Sequence, residues 1–388
     1  MKFVDLQIQQ NRIRNKLQEN IQNVLDHGQY VMGPEIAELE DQFGQFSGVN
    51  HAVACSSGTD ALLMSLMAYG VGPGDAVFTT PFTFFATAEV ISLLGAVPVF
   101  VDIDPYTFNI SPAELERAIL AMENADQSIY PIPENAQASS LSPKGVIAVD
   151  LFGLPAEYDQ INSIAEKHGL FVIEDAAQSF GAAYKGKKSC SLAEIACTSF
   201  FPAKPLGCYG DGGMCFTDSD ELAGRIRSFR IHGQGDHPYD NVRIGINGRM
   251  DTLQAAVLLA KFEIFHEEID LRQRVADRYN ELLSDCPFFV KQQIPEYCRS
   301  IWAQYSLLSK DSDTRSAILQ KMKDENIPYA IYYPKPLHLQ TAFAFLGYGN
   351  GSFPVSEDYS QRILSLPMHP YLDEESQRRI TRILTDKK

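Results

Sequence analysis

A lysine in a crowded turn is the residue of this sequence best suited to covalent chemistry. Lys204 lies in the run TSFFPAKPLG, residues 198–207, and the glycine-dense run GDGG follows at residues 210–213. Aromatic residues, prolines and glycines around a lysine predict a partly desolvated amine, and desolvation lowers its pKa and makes it a nucleophile. Most lysines are solvated surface charges, so Lys204 is weak evidence by itself. In this setting, its amine is suited to forming a Schiff base with an aldehyde.

An aspartate at the end of an apolar run supplies a second group. Asp175 ends the run FVIED, residues 171–175. Taken alone, it could simply cap the helix that follows. The pair is more informative, because pyridoxal phosphate (PLP) needs one residue to hold its aldehyde carbon and another to keep its ring nitrogen protonated. Lys204 and Asp175 together therefore predict a PLP enzyme in which both residues are catalytic.

Composition limits the classes of protein to which these residues can belong. The 388 residues, 45% hydrophobic and 21% charged, are enough for one large domain and a smaller one. The net charge of −16 argues against nonspecific binding to nucleic acid or to an anionic membrane. Seven cysteines without a Cys-x-x-Cys pair favour reduced thiols over a disulfide framework or a metal site. The N-terminus lacks the apolar core of a signal peptide, so we expect a cytoplasmic protein.

Short apolar runs alternate with amphipathic segments along the first half of the chain. This rhythm predicts an α/β fold with a largely parallel sheet. The expected strands are residues 51–55, 76–80, 97–102, 145–151 and 170–174.

Two further segments can be assigned from their local chemistry. Ser111 precedes Pro112 and Glu114, which predicts a helix with a serine cap, a proline in its first turn and a capping box. Residues 122–144 are polar and contain prolines, so we expect a surface loop there and assign it no chemistry.

The pattern changes beyond about residue 255. A long charged helix is expected through Phe262 to Tyr279, followed by a mixed segment. We therefore predict a large PLP-binding domain at residues 13–255 and a small C-terminal domain at residues 256–388. Residues 1–12 are expected to complete the small domain.

The segment CSSGTDAL, residues 55–62, offers a site for the phosphate of the cofactor. Gly58 and Thr59 would open a helix directly after a strand, where backbone amides and the helix dipole favour an anion. The same residue types also form an ordinary helix cap, and the sequence alone does not separate the two alternatives.

Together, these motifs resemble the DegT/DnrJ/EryC1/StrS family of sugar aminotransferases. The resemblance covers nearly the whole chain, including residues 3–6, 27–30 and 366–370. It implies the PLP-dependent transferase fold of the aspartate aminotransferase type, fold type I. That fold has a mostly parallel central sheet in a large domain and a small α+β C-terminal domain. The sequence most resembles members that aminate UDP-activated 3-keto-2-acetamido sugars or the corresponding uronic acids.

The resemblance implies a set of cofactor-binding residues. Gly58 and Thr59 match the pair that cradles the phosphate, and Ser199 matches a phosphate-binding hydroxyl. Phe84 matches the aromatic residue over the pyridine ring, although ordinary core packing explains an aromatic there equally well. Gln178 matches a glutamine near the phenolic oxygen of the ring, and its alternative is an amide on a helix surface.

A second cluster implies a homodimer with shared active sites. Residues 245–256 match the family segment that crosses the dimer interface. By resemblance, Asn247 reaches the cofactor phosphate of the other subunit and Arg249 lies near the incoming sugar. Without the resemblance, this segment would be a helix start with a surface arginine. His232, in the run RIHGQ at residues 230–234, is a further candidate for substrate contact, although a lone histidine is more often structural.

The segment IYYPKPLHLQ, residues 331–340, resembles a family stretch that binds substrate but departs from it at one position. Tyr333 matches and is a candidate for substrate binding. Tyr332, also a candidate, stands where relatives that act on a uronic acid commonly carry histidine. Gly248 similarly stands where a close relative has serine. The departure at Tyr332 leaves a neutral 3-keto N-acetylhexosamine as credible a substrate as the uronic acid, whereas the one at Gly248 implies only a difference in local hydrogen bonding.

The resemblance implies transfer of an amino group from L-glutamate to the UDP-activated keto sugar. The product would be a 3-amino sugar for surface polysaccharide or lipopolysaccharide. Three alternatives remain at this point: a 4-keto sugar aminotransferase, a PLP-dependent sugar dehydratase of the same fold, and a non-catalytic regulatory homologue. The dehydratase branch typically has histidine in place of Lys204, and pseudo-enzymes lose the lysine or its aspartate, whereas Lys204 and Asp175 are both present here.

Overall fold

The structure is a computed structural model that describes residues 1–134, 141–284 and 286–385. Its strands, in chain order, are β1 His51–Cys55, β2 Asp75–Thr79, β3 Val97–Phe100, β4 Ser142–Val149, β5 Phe171–Asp175, β6 Ala183–Tyr184, β7 Lys187–Lys188, β8 Ile195–Ser199, β9 Gly213–Thr217, β10 Phe289–Lys291, β11 Cys298–Arg299, β12 Tyr305–Ser309 and β13 Ile363–Leu366.

The helices alternate with these strands over the first half of the chain. In chain order they are α1 Leu6–Arg12, α2 Arg14–His27, α3 Pro34–Ser47, α4 Gly58–Ala68, α5 Ala86–Leu93, α6 Pro112–Asn124, α7 Tyr158–Lys167, α8 Asp220–Phe229, α9 Thr252–Leu282, α10 Ser312–Asp324, α11 Pro354–Arg362 and α12 Glu374–Thr385. Short 3₁₀ turns lie at Leu151–Gly153, Leu337–Leu339 and Thr341–Leu346.

A seven-stranded sheet forms the centre of the molecule, in the order β1-β9-β8-β5-β4-β2-β3. Within the described ranges, β9 runs antiparallel to both of its neighbours and the other six strands run in one direction. The prediction of a mostly parallel sheet is therefore confirmed. Because parallel strands end at the same edge of a sheet, β1, β5 and β8 deliver the residues that follow them to one place.

Apolar residues cover both faces of this sheet. One cluster packs β2, β3 and β4 against α6 and α7, and two others pack β1, β8 and β9 against α3, α4 and α9. The five predicted strands all form, and each of their predicted ends lies within three residues of the observed end. Short apolar runs bounded by polar residues predicted these strands correctly because the strands are buried on both faces.

The serine cap and the first-turn proline predicted for α6 are confirmed, but the capping box is wrong. The backbone N–H of Ser111 donates to the carbonyl of Asp102 at 3.1 Å, and the Glu114 carboxylate accepts from Arg117 instead. The Ser111 hydroxyl accepts a hydrogen bond from the backbone N–H of Glu114 at 3.3 Å, and Pro112 occupies the first turn. Proline is tolerated there because its missing N–H would have no acceptor in the helix.

The surface loop expected at residues 122–144 was wrong at both ends. Helix α6 continues to Asn124, and β4 begins at Ser142. Between them, Tyr130 and Ile132 are buried, and the Tyr130 hydroxyl accepts a hydrogen bond from the backbone N–H of Asp102 at 2.8 Å. These two side chains anchor a polar-looking segment to the core. Residues 135–140 of the predicted loop lie outside the described residues.

The C-terminal part is built on a long helix and a small sheet. Helix α9 spans 31 residues, and strands β10, β12 and β13 form an antiparallel sheet beyond it. Gln9 of α1 donates hydrogen bonds to the carboxylate of Glu268 on α9, at 3.0 and 2.8 Å. The domain boundary predicted between residues 255 and 256 falls inside α9, and the division into domains stays a prediction. In the part of the chain described, no helix is both long and apolar enough to cross a bilayer.

Candidate active site

The loop between β8 and β9 holds Lys204 in a defined turn. Its ends are tied together by hydrogen bonds from the N–H of Phe200 to the carbonyl of Gly212, at 2.7 Å, and from the N–H of Cys208 to the carbonyl of Phe200, at 2.8 Å. The N–H of Lys204 itself donates to the carbonyl of Phe201 at 2.9 Å. The backbone on both sides of the lysine is therefore fixed.

The electrostatic environment of Lys204 agrees with the sequence prediction. Part of the residue reaches the surface, but desolvation lowers the pKa of its amine to about 8, against the opposing effect of the Asp175 charge. The interaction places the two groups within electrostatic reach of each other, although they are 29 residues apart in sequence. A lysine with such a pKa supplies far more free amine at neutral pH than a solvated lysine.

Asp175 lies at the end of β5 and is buried. Its carboxylate accepts hydrogen bonds from the Thr87 hydroxyl at 2.8 Å and from the backbone N–H of Ala177 at 3.2 Å. Burial raises the pKa of Asp175, and these hydrogen bonds and the charge of Lys204 only partly oppose that rise. The carboxylate therefore lacks a full cationic partner, and a protonated ring nitrogen is a group of the required charge.

The pKa of Lys204 leads to a test on the protein without cofactor. We expect the rate at which PLP attaches to Lys204 to rise with pH, with a midpoint near pH 8, because only the free amine reacts. With a lysine pKa near 10.5, the free amine at pH 7 would be about 300-fold scarcer. Absorbance after mixing measures the rate at each pH. In Asp175→Asn the midpoint should move below 8, because the carboxylate raises the lysine pKa; a midpoint above 10 in the wild type would contradict the assignment.

The residues predicted to bind the phosphate come together where β1 and β8 end. A side-chain carbon added to Gly58 would lie 2.7 Å from Cβ and 3.2 Å from Cα of Ser199. A carbon added to Gly213 would lie 2.3 Å from the carbonyl carbon of Ser57. Contacts this close exclude any side chain, so the glycines allow the start of α4 and the loop around Lys204 to meet.

The start of α4 leaves hydrogen-bond donors available. The Ser57 hydroxyl caps the helix by accepting from the N–H of Asp60 at 3.0 Å. The N–H groups of Gly58 and Thr59 have no acceptor in the part of the chain that the structure describes. Unpaired amides at the start of an 11-residue helix, next to the Ser199 hydroxyl, form a site suited to a phosphate group.

Gly58→Ala tests this contact. We expect the affinity for PLP to fall at least tenfold, because the added methyl group must displace Ser199 or the first turn of α4. Titration of the cofactor-free protein with PLP, followed by absorbance, measures the change. Gly224→Ala is the matched control, since a carbon added at this position in α8 meets nothing within 4 Å. Equal affinities for the two variants would contradict the assignment of Gly58.

Gln178 and Tyr333 meet beside Asp175. The side-chain amide of Gln178 donates to the Tyr333 hydroxyl at 3.4 Å and accepts from the backbone N–H of Phe152 at 2.9 Å. Gln178 is thus buried, and the alternative of an amide on a helix surface was wrong. Burial and the charge of Asp175 raise the pKa of Tyr333, so its hydroxyl stays protonated. It is therefore available as a hydrogen-bond donor.

Phe84 lies at the open side of the same region. Its side chain is 59% exposed, so the alternative of ordinary core packing was wrong for this residue. The adjacent segment carries Thr87, the hydrogen-bond partner of Asp175, and the Thr87 N–H donates to the Phe84 carbonyl at 3.3 Å. An exposed aromatic ring near a buried carboxylate is suited to stacking on a planar ligand.

The segment with Asn247 and Arg249 lies against the phosphate site of its own chain. The backbone N–H of Ser56 donates to the carbonyl of Gly248 at 3.0 Å, and Asn247 beside it is exposed. Arg249 is partly exposed, and its guanidinium makes no ion pair with the residues that the structure describes. Both side chains are therefore free to contact a ligand or a second subunit.

The two remaining substrate candidates lie in different surroundings. Tyr332 is half-buried and packs edge-on against Phe3 and Tyr333, with ring centroids 6.5 and 5.9 Å apart. His232 is exposed and lines a shallow surface cavity of about 410 Å³ with residues 241–245. The structure brings Tyr332 into contact with Tyr333, but it shows no contact between His232 and Lys204.

Sequence reasoning missed two supports of the site. Thr87, which holds Asp175, lies 88 residues before it, and nothing in its local sequence marks it. Lys261 on α9 is fully buried, donates a hydrogen bond to the carbonyl of Gly207, and lies 4.4 Å from the ring centroid of Tyr209. Lys261 thus holds the loop that carries Lys204. A lysine between apolar helix residues could have indicated this role, but the segment was interpreted only as a charged helix.

Residues 11–385 match the DegT/DnrJ/EryC1/StrS aminotransferase family. The chain belongs to this family. It is 48% identical to UDP-2-acetamido-2-deoxy-3-oxo-D-glucuronate aminotransferase of Pseudomonas aeruginosa, with 100% of both chains covered. It is 37% identical to UDP-N-acetyl-3-dehydro-alpha-D-glucosamine 3-aminotransferase of Acidithiobacillus ferrooxidans, covering 98% of this chain and 96% of that one. The crystal structure of a family member from Brucella abortus superposes with a TM-score of 0.92 at 49% identity, covering 99% and 98% of the two chains.

These matches confirm the resemblance and fold type I. The protein is a transaminase, and its cofactor is PLP. The residues present fit this group: Lys204 offers a desolvated amine, Asp175 a buried carboxylate without a full cationic partner, and Gly58 a cradle with unpaired amides.

Proposed function

We propose that this aminotransferase moves the amino group of L-glutamate to the third carbon of a UDP-activated 2-acetamido-3-keto sugar. The sugar is the glucose form or its glucuronic acid form. The proposal is supported by the two relatives named above, whose names both describe activity on 3-keto derivatives of UDP-linked 2-acetamido sugars. The desolvated amine of Lys204, electrostatically coupled to buried Asp175, is the observation that carries it. The same pair argues against the dehydratase and regulatory alternatives.

When bound, PLP supplies an electron sink for the bond cleavage that transamination requires. Lys204 holds the cofactor at rest and, once released, moves the proton at the reacting carbon, a task for which its lowered pKa is suited. Asp175 keeps the ring nitrogen protonated, and Thr87 keeps the Asp175 carboxylate in place.

The remaining site residues are proposed to bind and orient. The amides of Gly58 and Thr59 and the hydroxyl of Ser199 hold the phosphate. Phe84 stacks on the ring, and Gln178 hydrogen-bonds near its phenolic oxygen. Each role matches the burial and the available donors of the residue.

We propose that the substrate side of the site combines Arg249, Tyr332, Tyr333 and His232. The protein carries a net charge of −16, so an anionic UDP-sugar requires local positive charge, and the unpaired guanidinium of Arg249 provides it. Tyr333 offers its protonated hydroxyl to the sugar. Tyr332 in place of a histidine removes one partner for a uronic carboxylate, whereas the relative with 48% identity acts on a uronate. The neutral and uronic forms therefore both remain candidates.

We also propose a homodimer in which Asn247 serves the phosphate of the other subunit. The loop before Asn247 exposes apolar side chains to an unusual degree: Tyr239 is 99% exposed, Ile244 88% and Val242 56%. A projecting apolar loop is typical of a protein interface. The cysteines of the described residues are unpaired, which suits a reducing cytoplasm, and a role in surface polysaccharide or lipopolysaccharide synthesis follows from the proposed product.

The decisive experiment runs the reaction in reverse. The PLP-loaded enzyme is incubated with 2-oxoglutarate and one of three UDP-sugars: the 3-amino glucuronate, the neutral 3-amino sugar or a 4-amino sugar. Glutamate formation and sugar consumption are measured by mass spectrometry, with Lys204→Ala as the control. Conversion of either 3-amino sugar supports the proposal and selects between its two forms. Conversion of the 4-amino sugar alone, or of none, would contradict it.

A further inference from the structure

Two more carboxyl groups are buried behind Asp175. Asp150 follows β4 and Glu174 precedes Asp175 in β5, and both are 0% exposed. Because side chains alternate along a strand, Glu174 and Asp175 point to opposite faces of the sheet. The backbone N–H of Asp150 donates to the carbonyl of Asp175 at 3.1 Å. The pair is thus close to the active site, although it has no part in the mechanism given above.

Two serines link these carboxyl groups. Oδ2 of Asp150 lies 2.6 Å from Oγ of Ser179. That oxygen lies 2.5 Å from Oγ of Ser189, and Oγ of Ser189 lies 3.0 Å from Oε1 of Glu174. The four oxygen atoms therefore form a chain with three contacts at hydrogen-bonding distance. The two carboxyl groups also act on each other electrostatically.

If both carboxyl groups are ionised, this chain of hydrogen bonds has one proton too few. Three hydrogen bonds need three protons, and the hydroxyls of Ser179 and Ser189 supply two. If each serine donated to its carboxylate, no proton would lie between the two serine oxygens, and two buried lone pairs would face each other at 2.5 Å. We propose that Asp150 and Glu174 share one additional proton through Ser179 and Ser189, and act together as a positioning device behind Asp175.

The other hydrogen bonds assign this proton to Asp150. Oδ1 of Asp150 accepts from the N–H of Ala156 at 2.9 Å and from the Tyr158 hydroxyl at 2.8 Å, whereas Oδ2 contacts only Ser179. Oδ2 can therefore carry a proton and donate it to the serine, which donates onward in the same direction.

Glu174 lacks such freedom. Its Oε1 accepts from the N–H of Cys190 at 2.7 Å and its Oε2 from the N–H of Leu192 at 2.9 Å. Both oxygens thus face backbone donors, which favours the ionised form. In the completed chain, Asp150 donates to Ser179, Ser179 to Ser189, and Ser189 to the Glu174 carboxylate.

The electrostatics agree with one proton on the pair. Burial and the charge of Glu174 raise the pKa of Asp150 well above its ordinary value, and burial raises the pKa of Glu174 to about 7. Burial also raises the pKa values of the neighbouring Tyr158 and Cys190, which stay neutral. In the described part of the chain, no cation is among the groups that most affect the pKa values of the pair, so one proton reduces its negative charge.

The shared proton matters for Asp175, and this consequence rests on the proposed function. With both carboxyl groups ionised, a second full negative charge would lie behind β5 and would favour the protonated form of Asp175. A protonated Asp175 could not stabilise a cationic ring nitrogen. The proton on the pair thus leaves Asp175 free to carry its own charge.

Infrared spectroscopy of the cofactor-free protein at pH 7 tests the proposal without any substrate. The C=O stretching band of a protonated carboxyl group is separate from the bands of an ionised carboxylate. We expect the difference spectrum between the wild type and Asp150→Asn to show the loss of one acid band, and this band should shift on ¹³C-aspartate labelling but not on ¹³C-glutamate labelling. Absence of a lost band in both Asp150→Asn and Glu174→Gln would mean that the pair is fully ionised and would overturn the proposal. A shift with labelled glutamate would overturn the assignment to Asp150.

Thermal unfolding of two amide variants gives an independent measurement. Asn at position 150 can donate to Ser179 as the neutral acid does, so we expect Tm of Asp150→Asn to stay within about 2 °C of the wild type. Glu174→Gln must place an NH₂ group against a backbone N–H, and its Tm should fall clearly further. The reverse order would overturn the proposal. If Glu174→Gln does not fold, the spectrum of Asp150→Asn still decides whether the proton lies on Asp150. Because neither measurement uses catalysis, failure of the proposed reaction would leave both results interpretable.

Discussion

Lys204→Ala should lose transamination by about a thousandfold or more, because it removes the amine proposed to hold the cofactor and to move the proton. The reason lies in the environment of the lysine: desolvation lowers its pKa to about 8, and the loop around it is tied at both ends. The reaction with glutamate, followed by 2-oxoglutarate formation under single-turnover conditions, measures the loss. Borohydride reduction and peptide mass spectrometry should find the cofactor attached at residue 204 in the wild type only.

Two controls separate chemistry from charge and from folding. Lys204→Arg keeps a positive charge near Asp175 but cannot form the covalent bond, so it should be as inactive as the alanine variant. Lys167→Ala removes an exposed lysine paired with Glu116 and should keep wild-type activity. Substantial turnover by Lys204→Ala, or cofactor attached at another lysine, would contradict the assigned role.

Asp175→Asn should lower the rate of the glutamate half-reaction by at least about a hundredfold, since a preorganised charge is replaced by a neutral group of the same shape. The amide can still meet Thr87 and the N–H of Ala177, so the fold should remain intact. Removing a buried carboxylate whose pKa is raised also relieves a desolvation cost in the protein without cofactor. We therefore expect Tm of the cofactor-free variant to be equal to or above that of the wild type.

This combination of lost rate and retained stability distinguishes a functional aspartate from a structural one. Single-turnover rates and Tm are measured on the same preparations, with Asp159→Asn as an exposed control that loses only a surface pair with Lys185. A wild-type rate in Asp175→Asn would show that the ring nitrogen needs no anionic partner here. A collapse of Tm without PLP would assign Asp175 to the fold instead.

The central sheet was predictable because its signals are local. Buried parallel strands appear as apolar runs, and the serine before α6 identifies the start of that helix. Strands β8 and β9 were not among the predicted strands. Strand β9 follows directly on the glycine run, and its direction depends on the neighbours it meets. The prediction of a surface loop at residues 122–144 was wrong for a related reason. The burial of Tyr130 and Ile132 depends on packing against residues distant in sequence.

The active-site residues likewise fall into those that local sequence predicts and those that only the fold reveals. Lys204 and Asp175 carry their chemistry in their own sequence neighbourhood, and Gly58 does so once a strand is known to precede it. Thr87 and Lys261 have roles only through contacts made across the fold, and an alternation of apolar and polar residues cannot reveal them. The linked set of Asp150, Ser179, Ser189 and Glu174 was missed for this reason too, since three separate segments meet there.

The long helix α9 has a consequence for protein engineering. Near its start, Gln254 and Lys261 hold the backbone at Tyr209 and Gly207, while its far end packs on the C-terminal sheet through Tyr279. A chimera could replace the C-terminal half of this protein with that of a relative in order to change the sugar preference. In such a chimera, all of α9 must come from one of the two parents. Crossover points before residue 252 or after residue 282 leave the helix intact. A junction near residue 256 would instead join the start of α9 from one parent to the rest of α9 from the other.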